Sequence, residues 1–229
     1  MPERSFMQEE AMNSTSSYPT RVITRNRISV WLTAAFLIWP FTARAAEVAP
    51  DVLARNTTDE VVRIVAQDKE IKAGNRDKIN QLVETKVLPY FDFQEMAQLA
   101  VGKHWSKATP EQREKIVDEF RTLLVRTYAG AIASVAEYKI NFKPLHSQPN
   151  DSKVTVRSEV LKPGAPPVTL DYRMEKQSGG WKVYDVLVDQ ASLVTVYRNS
   201  FNSNVRKSGI DGLITALVNR NRGNTAEKK

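Results

Sequence analysis

Few side chains in this sequence could do chemistry: two carboxylates, Asp185 and Asp189, near one strand end, and two histidines, His104 and His146, far apart in the chain. A carboxylate pressed into an apolar cavity holds its proton more tightly and can act as a general base, as in small cone-shaped α+β isomerases. Asp185 is the candidate base on that reading. The plain alternative is that Asp185 pairs with a strand neighbour such as Arg173, while Asp189 shapes the turn before Ser192. Nucleophilic catalysis needs a Ser, Cys or Thr with a base beside it. His104 lies just past a helix stop, His146 lies in a turn between strands, and no Gly-x-Ser-x-Gly elbow occurs, so no triad is expected. Isolated histidines without cysteine offer no ligand pair at helical or hairpin spacing, so neither a metal nor a cofactor is expected. Gly179-Gly180 belongs to a hairpin, not to the strand-to-helix loop that cradles a phosphate.

The elements around the two carboxylates form an apolar face. Val168, Leu170, Tyr172 and Met174 point one way, and Thr169, Asp171, Arg173 and Glu175 the other, because strand side chains leave on alternate sides of the pleat. After the turn at Gly179 and Gly180, strict alternation puts Lys182, Tyr184, Val186 and Val188 on one face. Val183, Asp185 and Leu187 then share the other, so the far end is apolar on both sides. Upstream, Tyr138, Ile140 and Phe142 alternate, followed by Val154, Val156 and Val160. Four antiparallel strands in a meander account for these segments.

The first half is helical by pattern. Thr58 with Asp59 and Glu60 reads as the start of a first helix carrying Val61, Val62, Ile64 and Val65 and ending before Gly74. Asn75 opens a second, with Ile79, Leu82, Val83 and Val87 on one face and Pro89 as its stop. Asp92 and Glu95 have capping-box spacing for a third, stopped by Gly102. Thr109, Pro110 and Gln112 open a fourth, which holds an apolar face from Ile116 to about Val135. Ser192 caps a fifth with Val194, Tyr197, Phe201 and Val205, and a sixth follows Gly209. The expected class is α+β, a single domain of about six helices packed on one face of a strongly curved four-stranded antiparallel sheet. Every element brings an apolar face and no second sheet fills the space between them, which predicts an internal apolar pocket. Such a pocket favours binding something oily over performing a reaction.

Arg21, Arg25 and Arg27 precede the apolar run from Ile28 to Phe41, and Ala43-Arg44-Ala45 has the spacing a signal peptidase reads. Residues 1–45 are therefore read as a cleavable signal peptide, because a membrane anchor needs about 20 apolar residues. The polar stretch before Met12 leaves a start downstream of Met1 open. Residues 46–218 form the domain, and 219–229 read as a frayed, disordered polar tail. Five arginines and three glutamates leave with the leader, so the net charge falls from +7 to +5. That balance suits an anionic partner, such as phospholipid head groups or an acidic protein surface, or simply solubility. The basic residues are scattered rather than striped, which argues against nucleic acid. An exported chain without cysteine fits the bacterial periplasm, and about 184 mature residues can build a core without disulfides.

Two blocks of residues carry a resemblance. The first is Phe91-Asp92-Phe93, Met96-Ala97, Gly102-Lys103-His104-Trp105, Ala108-Thr109-Pro110-Glu111-Gln112, Phe120, Leu123-Leu124 and Thr127-Tyr128. The second is Gly180-Trp181-Lys182-Val183-Tyr184-Asp185-Val186, Asp189, Ser192-Leu193-Val194, Tyr197-Arg198, Phe201 and Gly209-Ile210-Asp211-Gly212-Leu213-Ile214. Within a match from about Leu53 to Val218 they resemble the MlaC family, also called toluene-tolerance or Ttg2D proteins. That family has Gly-Val where this chain has Gln190-Ala191. Gly tolerates a positive φ there and Gln does not, which leaves the local backbone open.

The resemblance implies a periplasmic phospholipid carrier. Such carriers shuttle lipid between an outer-membrane lipoprotein complex and an inner-membrane ABC transporter with an MCE-domain protein, and so maintain outer-membrane lipid asymmetry. It also implies acyl tails between sheet and helices, the head group outside, and no catalytic residue, which makes 46–218 a phospholipid-binding domain. On that reading the apolar pattern assigns tail contact to Val156, Val160, Leu170, Tyr172 and Met174 from the sheet, and Val186 and Val188 from the last strand. Tyr128, Ile132, Tyr197, Phe201, Leu213 and Leu217 complete the set from the helices. Two acyl chains with about thirty methylenes would cost on the order of 25 kcal/mol to bring bare into water. The pocket is therefore expected near the upper end of the roughly 300–1,000 Å³ usual for ligand sites, or beyond it.

Overall fold

Strand alternation sets the sheet. β1 (Lys139–Phe142), β2 (Lys153–Leu161), β3 (Val168–Gln177) and β4 (Gly180–Val188) pair antiparallel in chain order, and a two-residue β5 (Ala191–Ser192) follows β4. The expected four strands are thus five, the last being too short to show any periodicity. The computed structural model describes residues 48–148 and 150–226, so the leader read at 1–45 lies outside the described residues. Val154 and Val156 stand opposite Met174 and Tyr172, and Val160 stands between Ile140 and Val168. One inward face therefore runs across β1, β2 and β3.

On β4 strict alternation fails. Arg173 pairs with Asp185 but Met174 pairs with Val183, which leaves Tyr184 as an extra residue on β4. A bulge of this kind bends the strand and moves everything beyond it by one position in phase. Val183 and Val186, three residues apart, are consequently both buried within the same apolar cluster. This corrects the reading that put Val183 across the sheet from Val186 and Val188.

The β4–β5 turn uses Asp189 at φ 47° and Gln190 at φ 67°, the left-handed pair that a two-residue hairpin requires. Asp189 is fixed by two bonds to Thr169. Its Oδ1 accepts the Thr169 N–H at 2.9 Å, and its own N–H donates to the Thr169 carbonyl at 3.0 Å. Gln190 thus does take the positive φ that its side chain disfavours. Replacing Gln190 by Gly is expected to raise stability by about 0.5–1 kcal/mol, the relief of left-handed strain less the added freedom of the unfolded chain. Urea midpoints of the two proteins measure it, and a lower midpoint for the Gly variant would show that the Gln side chain supports the turn.

Capping chemistry sets the helices. α1 (Pro50–Gln67) begins with Pro50 at its first position and Asp51 in its first turn, well before Thr58, which lies inside it. The Thr58 start is therefore corrected. Asp68 opens α2 (Lys69–Lys72) and Asn75 opens α3 (Arg76–Leu82), each side chain accepting from two backbone amides. A π-helical turn (Val83–Val87) and a 3-10 turn (Leu88–Tyr90) carry the chain past Pro89. Asp92 Oδ1 accepts the Glu95 N–H at 2.9 Å to open α4 (Phe93–Val101). The other half of the expected box is replaced, because the Asp92 N–H donates to the Val183 carbonyl at 2.9 Å and ties this helix start to β4.

α5 (Pro110–Ala133) has the complete capping box of Thr109 and Gln112. Ser192 Oγ accepts the Thr195 N–H at 3.0 Å at the start of α6 (Leu193–Ala226). α6 breaks at Ser208 and Gly209, where Gly209 has φ 69° and ψ −172°, a conformation open in practice only to Gly. The two helices read on either side of Gly209 are the arms of this kinked element. The second arm does not fray at Asn219. It continues to Ala226, and buried Asn221 donates to both the carbonyl and the carboxylate of Glu119.

Among the described residues the result is an α+β domain of six helices and one open antiparallel sheet. Phe120 of α5, with no exposed surface, meets Tyr197 and Phe201 of α6 edge-on, each at 5.1 Å between ring centroids. Met96, Ala97, Leu213 and Leu217 close this helical core. A separate cluster on the sheet contains Val154, Val156, Met174, Trp181, Val183 and Val186.

Candidate functional site

Between the sheet cluster and the helices lies a hollow of about 640 Å³. β3 contributes Val168, Leu170, Tyr172 and Met174, every second residue of the strand. β4 adds Val183, Val186 and Val188, which the bulge has brought to one side. The roof is Leu53, Ala54 and Val61 of α1, Leu124, Tyr128 and Ile132 of α5, and Val87, Leu88 and Tyr90 of the segment around Pro89. Lys162 is the one charged residue among the described residues of the lining. It belongs to the exposed β2–β3 loop with Ala165 and Pro166, and its Nζ sits 5.7 Å from the centre of the Tyr138 ring. A charge near the mouth with none deeper in is the arrangement that desolvation favours. A larger groove of about 1200 Å³ beside α3 and α5 sets Lys72, Arg76, Asp77, Arg126, Glu137 and Arg220 among Val65, Ile71, Ile79 and Ala129, so its wall is charged as well as apolar.

Of the residues read from pattern as tail contacts, Tyr128, Ile132, Val160, Leu170, Tyr172, Met174, Val186 and Val188 line the hollow. Val156 does not. It faces the same way but is sealed within the sheet cluster, where α1 lies against β2. Tyr197, Phe201, Leu213 and Leu217 are buried in the helical core around Phe120 instead. Their stripe is satisfied by α4 and α5, which the period of one helix cannot reveal. The lining from Leu53 to Thr57 was missed because the first helix was started at Thr58, although Pro50 ahead of Asp51 carried the signal. Lys162, Ala165 and Pro166 lie in the β2–β3 connection, where no periodicity assigns a face.

Tyr172 places a phenol hydroxyl in the wall of the hollow. Burial pushes its phenol from the usual 10 up to about 12, although its hydroxyl contacts those of Thr58 and Ser158. The folded protein therefore keeps this proton through a window in which the unfolded chain has lost it, and stability falls as pH rises from about 10 to about 12. Tyr172→Phe should lose stability less steeply than the wild type over that window in urea titrations. Parallel curves would place the hydroxyl in contact with bulk water.

Asp185, the candidate base, does not line the hollow. Its buried carboxylate accepts from Arg173 Nη1 at 3.2 Å, Ser192 Oγ at 2.7 Å and the Val194 N–H at 3.2 Å. With both oxygens occupied, it joins β3 and β4 to the start of α6. His104 follows Gly102 in a 3-10 turn (Gly102–Lys107), and His146 is exposed in the β1–β2 connection. Among the described residues no three potential metal ligands cluster.

A solved structure of a phospholipid-binding protein from Ralstonia solanacearum, in complex with a phospholipid, superposes with a TM-score of 0.73 and 39% sequence identity, covering 78% of this chain and 99% of that one. Among curated proteins, the intermembrane phospholipid transport system binding protein MlaC of Haemophilus influenzae is 26% identical, over 75% of this chain and 82% of its own length. The toluene tolerance protein ttg2D of Pseudomonas putida is 24% identical, over 79% and 82%. The MlaC protein family matches residues 55–219, from within α1 to the second arm of α6, and so spans every element that walls the hollow. By that match, and by the fold it shares with a phospholipid-bound relative, this chain belongs to the MlaC family.

Proposed function

We propose that this protein is a periplasmic phospholipid carrier that buries acyl tails in the hollow and leaves the head group at the mouth beside Lys162. The observation that carries this reading is the hollow itself, about 640 Å³ in volume and lined mainly by aliphatic and aromatic side chains. Taking a diacyl lipid through water exposes tails worth on the order of 25 kcal/mol, so a carrier must hide them. As it stands the hollow is in the middle of the usual ligand-site range, not at the upper end expected from two tails. α1 lies against β2, and the aromatic residues Tyr90, Phe91 and Phe93 line the hollow. Full occupancy by two long tails therefore requires the roof to yield.

Two of the relatives named above, the Ralstonia solanacearum phospholipid-binding protein and the Haemophilus influenzae phospholipid transport system binding protein, support the same reading. On this reading the cargo moves between an inner-membrane ABC transporter with an MCE-domain protein and an outer-membrane lipoprotein complex, and the transport maintains outer-membrane lipid asymmetry. Among the described residues no helix is long and apolar enough to cross a membrane. The isomerase alternative asks Asp185 to act from outside the hollow while three donors hold it, and no observation favours it.

The test is mass spectrometry of the organic extract from natively purified protein. Diacyl phospholipid near one equivalent per chain is the expected result. An extract without it, from protein expressed with its leader in a bacterium, would sink the carrier reading.

A further inference from the structure

The hollow leaves Gly102-Lys103-His104 and Arg198 without a role. Lys103, His104, Arg198 and Arg206 meet instead in a separate recess of about 810 Å³, joined by the amide side chains of Gln98, Asn199 and Asn202. It is built from the end of α4, the 3-10 turn after it and the first arm of α6, and it shares no lining residue with the hollow. Among the described residues its lining holds three cations, Lys103, Arg198 and Arg206, and no Asp or Glu. None of the three forms an ion pair among the described residues. Arg198 is anchored by its Nε, which donates to the Leu99 carbonyl at 2.9 Å. Two buried side-chain atoms here, His104 Nε2 and Asn202 Oδ1, have no hydrogen-bond partner. Uncompensated like charges repel, and buried polar atoms left unmet carry their full desolvation penalty. An anionic ligand seated among Lys103, Arg198 and Arg206 offsets the repulsion between them.

We propose that this recess is a docking site for an acidic segment of a partner protein. Its carboxylates accept charge-assisted hydrogen bonds from the guanidinium groups of Arg198 and Arg206 and from the Lys103 ammonium. Arg198 and Arg206 lie eight residues apart on α6, about 12 Å along the helix, and Lys103 comes from the neighbouring turn, a spread that several carboxylates of one segment can meet and a single phosphate cannot. A bilayer surface is the poorer fit, since membrane-surface sites combine basic residues with a broad exposed apolar face and the one large apolar residue in this lining is Leu99.

The mature protein is titrated with three probes at constant ionic strength: an acetylated hexaglutamate peptide, inorganic phosphate, and vesicles containing phosphatidylglycerol. The peptide is expected to shift the NMR signals of the His104 ring and the Asn202 side-chain amide, with saturable binding. The double variant K103E/R206E should weaken this binding at least about tenfold. Its phospholipid content should be unchanged, because neither residue touches the hollow. K103Q/R206Q, which carries less charge stress, should weaken it in the same direction. Absence of peptide-induced shifts, equal binding by either double variant, or matching shifts from phosphate or vesicles would each overturn the proposal. A lipid-free extract would leave it standing, so the two readings fail separately.

Discussion

Leu170→Glu is expected to yield a soluble, folded protein whose organic extract holds on the order of a hundredfold less phospholipid than the wild type, the discrimination a desolvated carboxylate supports. Leu170 is the middle of the inward row of β3, paired with Ser158 on one side and Val188 on the other, and it lines the hollow. A carboxylate there draws water in with it, and wet walls no longer shelter a tail. The backbone ladder is untouched, and part of the Leu170 side chain already borders open space, so the sheet can keep its register. Leu170→Met, similar in volume and apolar, should retain lipid. Val186→Glu should act in the same direction with a larger loss of stability, because Val186 is 8% exposed and belongs to the sheet cluster. Normal lipid content in folded Leu170→Glu protein would remove this residue from the proposed site.

Phe120→Ala should do the reverse, losing stability and keeping cargo. Phe120 has no exposed surface and holds Tyr197 and Phe201 edge-on, so truncation leaves a cavity between α5 and α6 and costs about 3–5 kcal/mol. For a domain of this size that corresponds to a fall of about 6–20 °C in melting temperature. Phe120 is absent from the lining of the hollow, so protein purified well below its melting point should carry its usual lipid. Lipid loss with an unchanged melting temperature would show that the helical core and the hollow are one mechanical unit.

These two residues mark how far the sequence could be read. By period alone Leu170 and Phe201 are equivalent, apolar positions on the inward side of an amphipathic element. One borders a void and the other is gripped by Phe120. Periodicity reports which side of an element avoids water, because that depends on local geometry and side-chain type. Whether a neighbour fills the space opposite depends on residues far away in the chain. The helix starts at Asn75, Asp92, Thr109 and Ser192 were legible because each is a contact within four residues. The bulge at Tyr184 was not, because it is a relation between two strands. It follows from Asp185 being held by Arg173 and Ser192 while Met174 pairs with Val183.

The sequence by itself therefore determined the class, the order of the elements, the inward faces of β2 and β3, and the family blocks that identify the chain. Tertiary structure alone decided that the inward faces of α6 close a solid core while those of β3, β4, α1 and α5 leave a hollow. The same helix arrangement brought Lys103, Arg198 and Arg206 into one recess. The physical reason is that burial is settled by pairs of surfaces meeting, and a one-dimensional pattern records only one surface of each pair.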